Sequence, residues 1–242
     1  MKKSFPKLAA LSFVYILSSA SWLSAAPIGH SAAGRQYLVT ARPLDAWSLG
    51  VQARVGTREA RVDNRTEDIR FTRLGMYAGY DIQRWITAFV KMGANDTRLD
   101  DFSGGQFSFE FGGGMRFNLF HHEILDPTLN EDRILINAAW EYSTAQAERM
   151  GGDQRYHELH GSLTMSIVND VVGTKMYIPH AIALFFGPTY SLFDSARVST
   201  RSDVGVLVGL EVYHSERTSF RFSVEQIGSD STTGMFGVHV GL

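Results

Sequence analysis

The chain has 242 residues, no cysteine, 23 lysines and arginines against 25 aspartates and glutamates, and a hydrophobic content of 44%. Without cysteine there is no lipoprotein anchor, no disulfide scaffold and no thiolate chemistry. The length suits one large β domain, and the mildly acidic balance speaks against nucleic acid as a partner.

The first stretch, "MKKSFPKLAALSFVYILSSASWLSAAP", carries Lys2, Lys3 and Lys7, then an apolar run from Leu8 to Leu17, then small residues. That is the pattern of a secretory signal peptide. The apolar run is much shorter than the ~20 residues a spanning helix needs. Residues 1–26 are read as this segment, with cleavage after Ala20 and after Ala26 both open. Loss of its three lysines leaves 20 basic residues against 25 acidic ones, a net charge of about minus five.

From residue 46 onward the chain alternates apolar and polar residues with period two, the mark of strands with one oily face. The first strand, near 46–55, sets Trp47, Leu49, Val51 and Val55 against Ser48, Gly50, Gln52 and Arg54. The second, near 69–80, sets Leu74, Met76 and Tyr80 against Arg73, Gly75 and Tyr77; the third, near 85–92, sets Ile86, Val90 and Met92 against Phe89 and Lys91. The fourth contains "FSFEFGGGMRFNLF", with Phe107, Phe109, Phe111, Met115, Phe117 and Leu119 opposite Ser108, Glu110, Gly112, Gly114, Arg116 and Asn118. In the fifth, Ile134, Ile136, Trp140 and Tyr142 oppose Asn137, Glu141 and Ser143; in the sixth, Leu159, Leu163 and Ile167 oppose Glu158, His160 and Ser162. The seventh places Ile182, Leu184, Phe186 and Tyr190 on its apolar face, and the eighth opposes Val204, Val206, Val208 and Leu210 to Gly209, Glu211 and Tyr213. The ninth opposes Phe220, Phe222 and Val224 to Arg221 and Glu225, and the tenth opposes Phe236, Val238, Val240 and Leu242 to Gly237 and His239.

Ten strands with polar connections after the odd-numbered ones and short turns ("DIQR", "HSERT") after the second and eighth predict an antiparallel up-and-down barrel with both termini on the tight-turn rim. Two connections on that rim, "FHHEILDPTLNED" and "NDVVGTKMYIPH", are read as about a dozen residues each, and keep an eight-strand count open. The fold class is all-β, a single transmembrane β-barrel over residues 46–242. A soluble sandwich would meet water with its polar faces. Here those faces are rich in Gly, Ala and Ser and carry Arg54, Arg73, Lys91, Arg116 and Arg221 against Glu110, Glu141, Glu158, Glu211 and Glu225, with His160 among them, as a filled narrow lumen requires. Trp47, Tyr80, Phe117 and Phe220 are read as an aromatic girdle at the tight-turn rim, and Phe107, Trp140, Tyr142, Tyr190 and Phe236 as one toward the long-loop rim.

Histidines stand near carboxylates or serines at several places in the sequence. "YHSER" puts His214 beside Ser215 and Glu216, but neighbours on an extended chain point to opposite faces. His157 lies on the lipid side and has no serine on its face, which gives it an interfacial role; Glu158, His160 and Glu141 read as a lumen cluster ahead of a protease site. "HHE" at 121–123 lacks ligand spacing for a metal, and Asp96, Asp100 and Asp101 read as a solvated loop. Neither a catalytic residue, a metal nor a cofactor is expected. Pro188 on the lipid face of the seventh strand predicts a bulge.

The C-terminal "TGMFGVHVGL", through Gly237, Val240 and Leu242, resembles in part the assembly signal of bacterial outer-membrane proteins, with Val240 where an aromatic is usual. With the strand pattern, the chain resembles small outer-membrane β-barrels of the OmpA-like and OmpX-like porin superfamily, over residues 46–242 and by architecture alone. The resemblance implies location in the cell outer membrane, residues 27–45 as a periplasmic segment, and lipid, lipopolysaccharide and the barrel assembly machinery as partners. It implies no activity. The expected role is structural or surface-interacting, with a charged, largely occluded lumen, narrow solute passage left open, and an unnamed loop ligand. An outer-membrane hydrolase (lipid-A deacylase or omptin-like protease) and a soluble periplasmic β protein are the alternatives.

Overall fold

The computed structural model describes residues 47–62, 65–83, 85–99, 107–125, 131–147, 154–170, 181–195, 198–200, 203–214 and 218–242. The signal-peptide and 27–45 readings lie outside these residues. The described strands are β1 (Trp47–Val62), β2 (Arg65–Gln83), β3 (Ile86–Leu99), β4 (Ser108–Leu125), β5 (Glu131–Ala147) and β6 (Gln154–Asp170). They continue with β7 (Ala181–Ser195), β8 (Val198–Thr200), β9 (Val204–Tyr213), β10 (Thr218–Ile227) and β11 (Ser231–Gly241). Ten of them form one antiparallel ring in chain order. β11 returns to β1, with Ser48 opposite Gly241 through to Thr57 opposite Thr232, and the Leu242 N–H donates to the Trp47 carbonyl at 2.9 Å. The ring has ten strands, not eight. β8 lies in the connection from β7 to β9.

Alternation dictates which side each residue takes. Val51, Leu74, Val90, Phe109, Leu184, Val206 and Val224 stand exposed on the outside, while Ser48, Thr87, Asn95, Ser143, Ser191 and Ser219 are buried inside. Among the described residues the apolar face has no protein layer against it, and closure leaves no open edge among the paired strands. A sheet closed in this way, oily outside and polar inside, is a transmembrane β-barrel.

Three features differ from the sequence reading. The connections are shorter than they looked: most of "GTREARVDNRTED" belongs to β1 and β2, and "HHEIL" belongs to β4. The cause on β1 is an inversion of the pattern. As far as the middle of the strand Val55 points out and Arg54 in, whereas above it Glu59 points out and Ala60 is buried inside. On β4 the cause is a register shift between Asn118 and Phe120, which turns Phe120, His122 and Ile124 outward and His121 inward. Pro188, finally, makes no bulge. The β6–β7 pairing skips Gly187 and Pro188 and resumes in the same register, from Ser162↔Thr189 to Met165↔Phe186, so the missing N–H interrupts the ladder without displacing it.

Candidate functional site: the barrel interior

The inward side chains form three tiers, with a further buried apolar cluster of Val168, Ala181, Ala183 and Tyr213 in the half that holds the termini. At the end away from the termini, Ala60, Ile69, Ala145, Tyr156 and Phe193 make a buried apolar cluster, in which the Tyr156 and Phe193 rings stack at 4.4 Å. The Tyr156 hydroxyl reaches Thr97 Oγ1 at 3.3 Å, so its polar end is also engaged.

Beneath it lies a layer of charge. Lys91 Nζ forms an ion pair with Glu110 Oε1 at 2.7 Å and donates to Glu141, and Arg54 Nη2 reaches Glu141 Oε2 at 3.3 Å. Glu158 accepts from Arg73, from Arg58 Nη1 at 3.4 Å and from Ser191 Oγ at 2.9 Å, while Arg73 Nε lies 3.9 Å from Glu110. Arg58 also donates to Ser191 Oγ at 2.8 Å and to the Ser191 carbonyl. His160 Nε2 sits 2.8 Å from Glu225 Oε1. Four cations (Arg54, Arg58, Arg73, Lys91) thus meet three carboxylates (Glu110, Glu141, Glu158) contributed from across the ring, and the fourth carboxylate, Glu225, pairs with His160. The spaces left among them are about 10 and 20 Å³, room for a water each at most.

The third tier, in the half holding the termini, is a cavity of about 240 Å³ whose lining includes Arg54, Arg116, Arg133, Arg221, Glu141 and Glu211. Arg116 lies over the Tyr77 and Phe89 rings, 5.0 Å from each centroid, and Arg221 lies 4.1 Å over Phe185. Tyr77 OH is 2.8 Å from His239 Nδ1, and Ser219 Oγ donates to Glu211 Oε1 at 2.7 Å.

Each of the three rings lies on a glycine directly opposite it: Tyr77 on Gly50, Phe89 on Gly114, Phe185 on Gly209. A Cβ added at those glycines would come within 2.2, 2.8 and 2.2 Å of the ring atoms. Removing the side chain from one strand is what lets an aromatic on the next lie flat across it.

Of the residues singled out in the sequence, Arg54, Arg73, Lys91, Glu110, Glu141, Glu158, His160 and Glu225 meet in the charge layer, while Arg116, Glu211 and Arg221 line the cavity. Arg58 and Ser191 were missed, Arg58 because its segment reads as a loop. The glycine–aromatic pairs were legible only as inward glycines.

On the outside, Trp47 packs on Tyr80 at 4.9 Å, and Phe107, Trp140, Tyr142 and Tyr190 are exposed. Phe117 is only 9% exposed, with the Trp85 ring 6.3 Å away, and Phe220 is half-buried near His214. Phe236 sits mid-strand against Phe222 at 4.9 Å instead of at the long-loop rim, since the β10–β11 hairpin reaches well above it. Gly237 faces Gln52 and Arg221 in the ladder, and Val240 and Leu242 are exposed. His157 stays outside, its Nδ1 2.7 Å from the Tyr142 hydroxyl. His121 and His122 take opposite faces, and Asp96 pairs with Arg98 on the outer surface. No group of three metal-ligating side chains occurs among the described residues. Tyr213 points inward and His214 is exposed; Ser215, Glu216, Asp100 and Asp101 lie outside the described residues.

No protein-family model and no curated protein matches the chain. Among solved structures, it is similar to the translocator domain of the autotransporter NalP from Neisseria meningitidis, at 10% identity over 96% of each chain with a TM-score of 0.36. It is similar also to an outer-membrane channel from Pseudomonas putida F1, at 6% identity over 83% of this chain and 97% of that one with a TM-score of 0.40. A third is Neisserial surface protein A, at 12% identity over 80% of this chain and 96% of that one with a TM-score of 0.34. No role passes from them to this chain.

Proposed function

We propose that this chain is a bacterial outer-membrane β-barrel with a closed lumen and a structural or surface-interacting role, not an open pore and not an enzyme. The observation that carries this is the charge layer. Its members come from β1, β2, β3, β4, β5, β6, β7 and β10, eight of the ten ring strands, and the spaces between them hold no more than single waters. Opening a passage there would separate buried charges that pay for their desolvation only by staying paired. The same layer engages Glu141, Glu158 and His160, which a hydrolase would need available to substrate.

The exposed apolar wall supports lipid as the surrounding medium. Lipopolysaccharide as the outer-leaflet contact, and β11, with Gly237, Val240 and Leu242, as the strand offered to the assembly machinery, belong to the same reading. Purified, refolded protein in planar bilayers tests it. Conductance should be absent or very small; a large, stable, weakly selective conductance would show a water-filled pore. Recovery of the protein as a soluble periplasmic species would overturn the membrane reading.

A further inference from the structure

The charge layer leaves the terminus-side cavity as a blind chamber, and we propose that this chamber binds a small anion through a carboxylate or phosphate group. The inference deepens the closed-lumen reading and rests on it only for the direction of entry, from the rim that carries the termini.

Among the described residues, the chamber's lining holds four arginines and two glutamates. Glu141 already serves Arg54 and Lys91 in the layer above, and Glu211 accepts from Ser219 and stands opposite Arg221 in the ladder. Among the described lining residues, Arg116 and Arg221 therefore face a space in which positive charge exceeds negative. A confined, low-dielectric space of that sign concentrates anions.

The manner in which two of them are held points to recognition as well as charge. Arg116 and Arg221 rest on aromatic faces that glycines on neighbouring strands hold flat. A guanidinium held over a ring spends none of its N–H groups on that contact, and they stay at the edge of its plane. That edge is the fork that matches the two oxygens of a carboxylate or phosphate. Arg116 and Arg133 also keep contacts within the wall, yet each guanidinium has five donors to share. The volume, about 240 Å³, fits a small solute and excludes a polymer or a lipid tail.

Refolded protein in zwitterionic micelles, titrated with inorganic phosphate in one arm and succinate in another, tests this by calorimetry and by the Nε–Hε resonances of 15N-labelled arginines. Saturable binding of at least one probe is expected, with the Arg116 and Arg221 resonances moving together. Arg221→Gln should weaken it by about ten- to a hundredfold, the loss of a charge-assisted donor pair. Arg221→Lys, which keeps the charge and loses the fork, should weaken it by a smaller factor and serves if the glutamine variant does not refold. Arg98→Gln, on the outer surface beside Asp96, should change nothing. Absence of saturable binding by both probes in folded protein, or binding indifferent to both Arg221 variants, would overturn the proposal. Conductance is read separately: a porous barrel that still binds anions sinks the closed-lumen reading alone, and a non-conducting barrel that binds neither probe sinks this one alone.

Discussion

The two halves of the lumen use the same side chains to opposite ends. Toward the loops, Arg54, Arg58 and Arg73 meet glutamates and the space between them closes to about 10–20 Å³. Toward the termini, Arg116 and Arg221 meet aromatic rings, and about 240 Å³ stays open. A carboxylate neutralises an arginine and consumes its donors; a ring steadies it and leaves charge and donors in place. What an arginine does inside a barrel is thus decided by the residue across the lumen and across the ladder, not by its own position in a strand.

The largest expected effect comes from breaking the closed half. Glu158→Ala removes the acceptor shared by Arg58, Arg73 and Ser191 and should destabilise the barrel by about 3–5 kcal/mol in urea unfolding from micelles. Combining it with Arg73→Leu should recover part of that loss, because the second substitution removes a stranded cation; strict additivity would show that the pair is not coupled.

A smaller effect is expected where a ring rests on a glycine. In Gly209→Ala the new methyl meets the Phe185 ring and the Phe222 carbonyl, at 2.2 and 2.4 Å before any relaxation, so the strand or the ring must shift. A cost of about 1–3 kcal/mol follows, together with weaker anion binding as Arg221 loses its support. Unchanged binding in this variant would mean that the ring does not position the guanidinium.

The smallest effect on folding belongs to Arg221→Lys, which trades a stacked guanidinium for an ammonium at a cost of about 1 kcal/mol or less. Its signal is the contrast between near-normal stability and weakened anion binding. An equal loss in both would turn Arg221 into a packing residue.

The ten strands and the side each residue takes could be read from the sequence because period two leaves only two choices per strand. Ion-pair partners could not. Arg54 meets Glu141, Arg73 meets Glu158 and Arg116 lies on rings, since strand tilt decides which inward positions share a level. Arg58 escaped for another reason. Above the oily band the outer face turns polar and the inner face turns apolar, as at Glu59 and Ala60, Asp68 and Ile69, and His157 and Tyr156, so the pattern changes phase and the strand reads as loop. The bulge near Leu119 had the same effect on His121.

β8 closes the ring a second time. It pairs with β1 from Val62↔Val198 to Ala60↔Thr200 and with β7 at Asp194↔Ser199, spanning above the shorter β9, β10 and β11. The wall in the oily band is sealed by the long β1–β11 seam, whereas the collar above it is sealed by a keystone of three residues carried on a connection. The two closures are separable. A change in those three residues would therefore be felt at the collar, while the wall beneath keeps its register through the β1–β11 seam.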